Sequence, residues 1–198
     1  MSETSPTRAV VLELKDEQRA MNEGYVFLDE KCLLLAGEIL RELTRHAAFD
    51  RAFIAAHDAA LLLLQAAVAR HGLDNLQVYP ALDQSTTPVA RVARSIMGVR
   101  LQDASWQAAD TVPAPSVLPS PEAEACRRAF LALVAAAVPL AAVSGNLERL
   151  SFEYRRSVRR ARALQDVLLP ELDDEIYRIE TRLEELEQED AISMRYRA

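Results

Sequence analysis

The strongest constraint on this chain is a pair of long heptad seams, one towards each end of its 198 residues. The first runs Val11, Leu14, Gln18, Met21, Tyr25, Leu28, Cys32, Leu35, Ile39 in alternating steps of three and four, with Gln18 its one polar member. That mean period, about 3.5 residues, belongs to a left-handed coiled coil. The second seam runs Leu147, Leu150, Tyr154, Val158, Ala161, Gln165, Leu168, Leu172, Ile176, Ile179, Leu183, Leu186. Twice in it, at Leu150–Tyr154–Val158 and Leu168–Leu172–Ile176, one step of four follows another, which locally unwinds such a coil. Each seam needs a partner, and about 100 residues between them let the chain turn back. An antiparallel pairing is therefore expected. At ~1.5 Å per residue, some 40 residues make a rod of about 60 Å.

The second irregularity brackets Pro170. Proline in a helix interior removes a backbone hydrogen bond and presses on the carbonyl one turn back, at about 3 kcal/mol. Two accounts fit it: a bend at a specified place in the rod, or a local adjustment of helix packing.

Composition agrees with helix. Half the residues are apolar but only 6% are aromatic, and glycines number five, so the apolar content is mostly Ala, Leu and Val. The expected fold is mainly α: a long antiparallel coiled coil of N- and C-terminal helices, with a helical middle region carrying a short β-hairpin. The divisions are a first shaft helix at 1–46, a globular or foot region at 47–145, and a second shaft helix with its tail at 146–198. Within the middle, 47–71 is helical and Gly72 stops it. Val, Tyr, Ile and Thr with Pro80, Pro88 and Gly98 place the hairpin at about 75–102, and a Pro-rich loop follows at 103–121. Ser120 and Pro121 look like the cap and first turn of a helix that can bend at Pro139 or Gly145. The charged positions between seam residues, among them Glu13, Lys15, Asp29, Glu38 and Arg41, are expected to be a solvated face.

Catalytic patterns are missing from the sequence. None of the glycines, at 24, 37, 72, 98 and 145, precedes a lysine or sits in a Gly-rich turn, so no phosphate-binding loop is expected. His46, His57 and His71 lack the close spacing of a metal face. Cys32 and Cys126 are too few for a zinc site or a disulfide scaffold, and Cys32 lies on the seam as a small apolar residue. Paired acids such as Asp173 and Asp174 sit in an open charged helix. No catalytic, cofactor or metal site is expected. With 23 basic against 30 acidic residues, a uniformly basic nucleic-acid binder is also excluded. The N-terminal MSETSPTR has no signal-peptide character. The longest apolar stretch, 129–143, contains Pro139 and falls short of the roughly 20 residues that span a bilayer. A soluble cytoplasmic protein is the expectation. Charge is banded, however: residues 148–162 carry six arginines against Glu148 and Glu153, and residues 171–190 carry ten acids against Arg178 and Arg182. Such bands suit either a solvated surface or rings that face a partner.

The stretch SVRRARALQDVLLPELDDEIYRIETRLEELEQE, 157–189, resembles the C-terminal helix of the D subunit of the V-type (V/A-type) rotary ATPases. Ser157, Arg159, Arg160, Ala163, Leu164, Val167, Pro170 and Leu172 fall in register with that family's pattern. The stretches PTR at 6–8, ELK at 13–15 and GYVFLDEK at 24–31 match its N-terminus, and SIMGV at 95–99 resembles its central strand. Arg162 and Gln165 depart from it, standing where the family usually has Asn and Glu.

The resemblance implies a rotor shaft without a catalytic site or cofactor of its own. The paired terminal helices would enter the head of catalytic A and B subunits, and the middle region would dock on the socket subunit above the membrane rotor ring. The small F subunit would bind the side, with the whole assembly peripheral on the cytoplasmic face. It would couple ATP hydrolysis or synthesis to proton or sodium transport. On that view Pro170 bends the shaft, and Arg155, Arg156, Arg159 and Arg160 meet acidic groups of the head or of the F subunit. Periodicity alone also allows a coiled-coil adaptor or scaffold unrelated to ATPases. An F-type gamma shaft and a membrane-anchored protein are further alternatives.

Overall fold

The computed structural model describes residues 7–76, 79, 87–109 and 119–197. Their elements are α1 (Arg8–His71), α2 (Leu73–Leu76), β1 (Ala90–Ile96), β2 (Val99–Ser105), α3 (Pro121–Ala163), a π turn (Leu164–Leu168) and α4 (Leu169–Arg197). The mainly helical fold with long terminal helices packed antiparallel and one hairpin is as the sequence predicts. α1 starts where Thr7 Oγ1 accepts the Val10 N–H at 3.3 Å, an N-cap. It continues without a break across residue 46 and ends at His71, where Gly72 takes φ +75° and donates its N–H to the Val68 carbonyl. α3 starts at Ser120, whose Oγ accepts the Ala123 N–H at 3.2 Å, and Pro121 occupies the first helical position. It remains helical through Pro139 and Gly145.

The hairpin turns on Met97 and Gly98, both at positive φ, +48° and +83°. Two residues with that handedness match the twist of paired strands, and Ile96 faces Val99 across the turn. It lies at 90–105, later than the expected 75–102, so residues 103–105 are strand. Asp103 is ion-paired and Trp106 just beyond is buried, which anchors that end. The rest of the expected loop, 110–118, and the earlier residues 77, 78 and 80–86 lie outside the described residues.

The chain divides into two compact units: Met1–Leu34 with Glu153–Ala198, and Leu35–Phe152. In the first unit, α1 and α4 run antiparallel, as Arg8–Glu187 and Lys15–Glu180, both 2.6 Å, and a Gln18–Asp173 hydrogen bond show. These pairs are exposed and add little strength. The apolar seam beneath them does the holding. Cys32, Leu172 and Ile176 are buried, while Met21, Tyr25, Leu28, Ile179, Leu183 and Leu186 are half-buried. Burial raises the Cys32 thiol above its ordinary range, with Asp29 adding to the effect, so it stays neutral.

One part of the expected seam is corrected. Gln165 and Leu168 face solvent, and Ser157 is buried where Val158 was expected. The inward positions run Tyr154, Ser157, Ala161, Leu164, Leu169, Leu172, Ile176. The jump from Leu164 to Leu169 is five residues, one π turn, closed by the Leu169 N–H donating to the Leu164 carbonyl. Leu164 packs over Gly24, its Cδ1 3.9 Å from where a Cβ on that glycine would stand.

The best-shielded ion pair of this unit is Lys31 Nζ to Glu153 Oε1, 2.6 Å, with both side chains no more than 20% exposed. The Lys31 hydrogen bond, then its charge, with Arg156 and Arg160 assisting, holds the Glu153 carboxyl below its usual range. A carboxylate whose folded pKa is depressed stabilises above its unfolded pKa and loses that contribution as pH falls through the folded value. Thermal melts between pH 7 and pH 3 should therefore show wild type losing more stability below about pH 4.5 than Glu153→Gln does. Parallel pH profiles would assign the acid sensitivity to other groups.

Candidate functional site

The first unit contains the positions that the sequence singled out for external contact. Arg155, Arg156, Arg159 and Arg160 are all exposed on α3; Arg156 reaches Glu153 at 4.0 Å, and the charge of Arg160 also acts on that carboxyl. They form a basic strip on one helix. Pro170 follows the π turn by two residues and is exposed. Its ring would press on the carbonyl one turn back in a regular α-helix. The wider π turn before it moves that carbonyl aside, and the missing N–H falls where the ladder is already re-registered. Such π turns often sit at functional positions.

The second unit holds a charged cluster that sequence spacing did not reveal. Glu38 and Glu42, one helical turn apart on α1, are 2% and 0% exposed. Glu38 is thus core, not solvated face. The reason is its partner: Arg94, projecting from β1, bonds Glu38 Oε1 at 2.6 Å and Glu42 Oε1 at 2.8 Å. Arg45 also reaches Glu42 Oε1, at 2.6 Å, and bonds Asp103 on β2 at 2.5 Å. Arg41 closes on Glu38 from the solvent side at 3.0 Å. Glu42's second oxygen accepts from Asn146 Nδ2 on α3 at 3.2 Å.

Asn146 is itself fully buried and does further work on β2. Its Oδ1 accepts the Gln102 N–H at 2.8 Å and its Nδ2 donates to the Gln102 carbonyl at 3.0 Å. The side-chain amide thus mimics one residue of a neighbouring strand. Val99, Leu101 and Trp106 supply the buried apolar part of the hairpin's attachment. A heptad count continued past Leu35 in steps of three and four falls on Glu38 and Glu42. That was the available signal, and it was masked by Ile39 next door, which is only half-buried.

The histidines have structural surroundings. His57 lies beside Asp58 at 3.3 Å in the open, and His71 Nε2 is 2.7 Å from the capping Ser120 Oγ. Among the described residues no three His, Cys, Asp or Glu side chains gather as metal ligands would. α1 and the α3–α4 run each contain an 18-residue window apolar enough to meet the length and hydropathy of a membrane span, most of it unburied within the chain. Leu33, Leu40, Leu62 and Phe152 are exposed large apolar side chains as well.

Comparison with known proteins gives one consistent result. The family model for the D subunit of ATP synthase matches residues 10–196. The V-type ATP synthase D subunit of Thermotoga neapolitana is 21% identical over 192 residues, covering 96% of this chain and 95% of that protein. The protein of the same description from Anaeromyxobacter dehalogenans is 28% identical, with 98% and 95% covered. The A-type ATP synthase D subunit of Pyrococcus horikoshii is 26% identical, with 93% and 88% covered.

Removing one partner from a buried ion pair strands the other charge, at about 3–5 kcal/mol. Arg94→Ala is therefore expected to lower the urea midpoint of the Leu35–Phe152 unit markedly. Arg41→Ala, from a side chain 72% exposed, should leave it nearly unchanged. Equal effects of the two would show that Arg94 is not what compensates the buried acids.

Proposed function

The chain belongs to the ATP synthase D-subunit family, and from that membership we propose that it is the central-stalk rotor subunit of a V/A-type ATP synthase. On this proposal it couples ATP hydrolysis or synthesis in a head of A and B subunits to proton or sodium transport through the membrane sector. It contributes no catalytic residue or cofactor of its own. The terminal helices, 1–46 and 146–198, enter the head. Residues 47–145 form the foot that meets the socket subunit, the F subunit binds the side, and the assembly is peripheral on the cytoplasmic face. The observation that best supports a mechanical role is the antiparallel helix pair whose seam is broken at one place, by a π turn and Pro170. The uncovered apolar surface fits a chain that works inside a larger assembly.

Within this reading, Arg155, Arg156, Arg159 and Arg160 contact acidic groups of the head or of the F subunit. Contacts with the head must break at every step of rotation, so exposed pairs of about 0–1 kcal/mol each, screened by salt, suit them. A tagged pull-down from native cytoplasm and carbonate-washed membranes tests the assignment. Recovery of A and B subunits with a small F-like partner is expected, together with weaker, more salt-sensitive recovery when the four arginines are replaced by glutamate. Intact assembly and turnover in that variant would remove the arginine contacts. Recovery of none of these partners, from cells that express them, would leave a coiled-coil scaffold. Retention in membranes after the wash would indicate an anchored protein.

Pro170 is the proposed bend. Because the π turn already makes room for the ring, Pro170→Ala should recover only part of the ~3 kcal/mol that proline costs in a regular helix, and the variant should melt slightly higher. Deleting Gln165 as well removes the extra residue of the π turn and restores a step of four between its flanking seam leucines. An assembled complex carrying either change should hydrolyse ATP with reduced ion transport per ATP. Unchanged coupling would reduce Pro170 to a packing adjustment.

A further inference from the structure

The two edges of the hairpin are treated differently. Gln102 directs both its N–H and its carbonyl away from β1, onto Asn146. In an antiparallel pair, opposed residues either exchange both hydrogen bonds or both turn them outward. Gln102 faces Ala93, so the Ala93 N–H and carbonyl point outward from the opposite edge. The turn gives the same parity independently: in a two-residue turn the flanking pair, here Ile96 and Val99, is hydrogen-bonded, and alternation from there leaves Ser95, Ala93 and Arg91 outward. All three are exposed, and among the described residues these outward groups have no hydrogen-bond partner.

β2 is thus closed by a side chain, while β1 keeps an open edge. Charge distinguishes it further. Arg91 lies on that edge and Arg100 stands opposite Ser95, on the same face of the hairpin. Both are exposed, and neither has an ion-pair partner among the described residues, although the chain carries a net charge of −7. The one acid of the hairpin, Asp103, is already engaged by Arg45 on the other face. Open edges are commonly blunted by charge against indiscriminate pairing, and the same charge selects a partner of opposite sign.

We propose that the β1 edge, Arg91 to Ser95, is a docking site for an extended acidic segment of a partner protein, added to the hairpin as a third strand. Main-chain bonds to Arg91, Ala93 and Ser95 would hold it, and Asp or Glu at alternate positions would meet Arg91 and Arg100. A bound strand would also bury the exposed Ala93. Because α1 and α3 hold the other side through Arg94 and Asn146, the edge is presented on a fixed support.

Testing this site rests on the proposed assembly, and the two can fail separately. Amide hydrogen exchange is followed on the isolated chain and on the purified complex, whose A and B subunits are verified by mass spectrometry. In the isolated chain the amides of Arg91, Ala93 and Ser95 should exchange fast while those of Val92 and Arg94 are slow. In the complex the first three should slow by about tenfold or more. Ala93→Pro removes an outward donor without touching the hairpin's own ladder, so Val92 and Arg94 should keep their slow exchange while Arg91 and Ser95 stay fast in the complex. Arg91→Glu with Arg100→Glu should give the same result. An assembled complex with a still-fast edge would overturn the proposal. Edge amides already slow in the isolated chain would do the same, whether through cover by its own residues or, if concentration-dependent, by a second copy.

Discussion

Glu42 is the interaction on which the second unit depends. A carboxylate with no solvent exposure has lost its hydration, at several kcal/mol, and must recover that from protein groups in good geometry. Its three partners arrive from three elements: Arg45 on α1 itself, Arg94 on β1 and Asn146 on α3. An apolar side chain here could tolerate a slide of one helix along the other or a shift of the hairpin. The carboxylate cannot, since each displacement leaves a charge or an amide unmatched. Glu38, bonded by the same guanidinium, repeats the condition one turn earlier and so fixes the direction of β1 as well as its position. The buried acids thus supply specificity more than net stability.

Much of this fold was legible because the signals are local. Gly72, Ser120 and Pro121 each satisfy a backbone requirement within a few residues, so the end of α1 and the start of α3 could be read directly. The seams were legible because period 3.5 repeats over several turns. The buried cluster was not, because burial of Glu42 depends on Arg94, 52 positions away, and on Asn146, 104 away. Nothing near Glu38 distinguishes an acid on a wet face from one that has found a guanidinium. The hairpin's late end had the same cause, since Asp103 is anchored by Arg45, 58 positions away.

The π turn illustrates a subtler limit. Spacing shows that the C-terminal seam carries a surplus residue but does not show which turn absorbs it. Counting by apolarity placed Leu168 inward, because Leu168 and Leu169 are equivalent in a sequence. The backbone decides between them. Pro170 has no N–H to offer and its ring needs space on the preceding turn, so the widening falls at Leu164–Leu168 and Leu169 becomes the inward residue. The irregularity thus stands N-terminal to Pro170, at Leu164–Leu168, and not in the Leu168–Leu172–Ile176 steps to which the spacing assigned it.

These two devices act at opposite ends of one energetic scale. On the proposed rotor role, the chain must be stiff in itself and loosely held by what surrounds it. Internal stiffness comes from contacts shielded from water: the buried residues of the apolar seam in one unit and the buried acids in the other. Loose external contact requires groups that water can replace at little cost, as with the exposed arginines of α3. A partner fixed to the rotating part has no need of such looseness, and main-chain bonding along an open strand edge suits it better than screened charges alone. On that proposal the acidic strand at β1 belongs with partners that turn with the chain, whereas the arginine strip, where it faces the head, meets one that stays still.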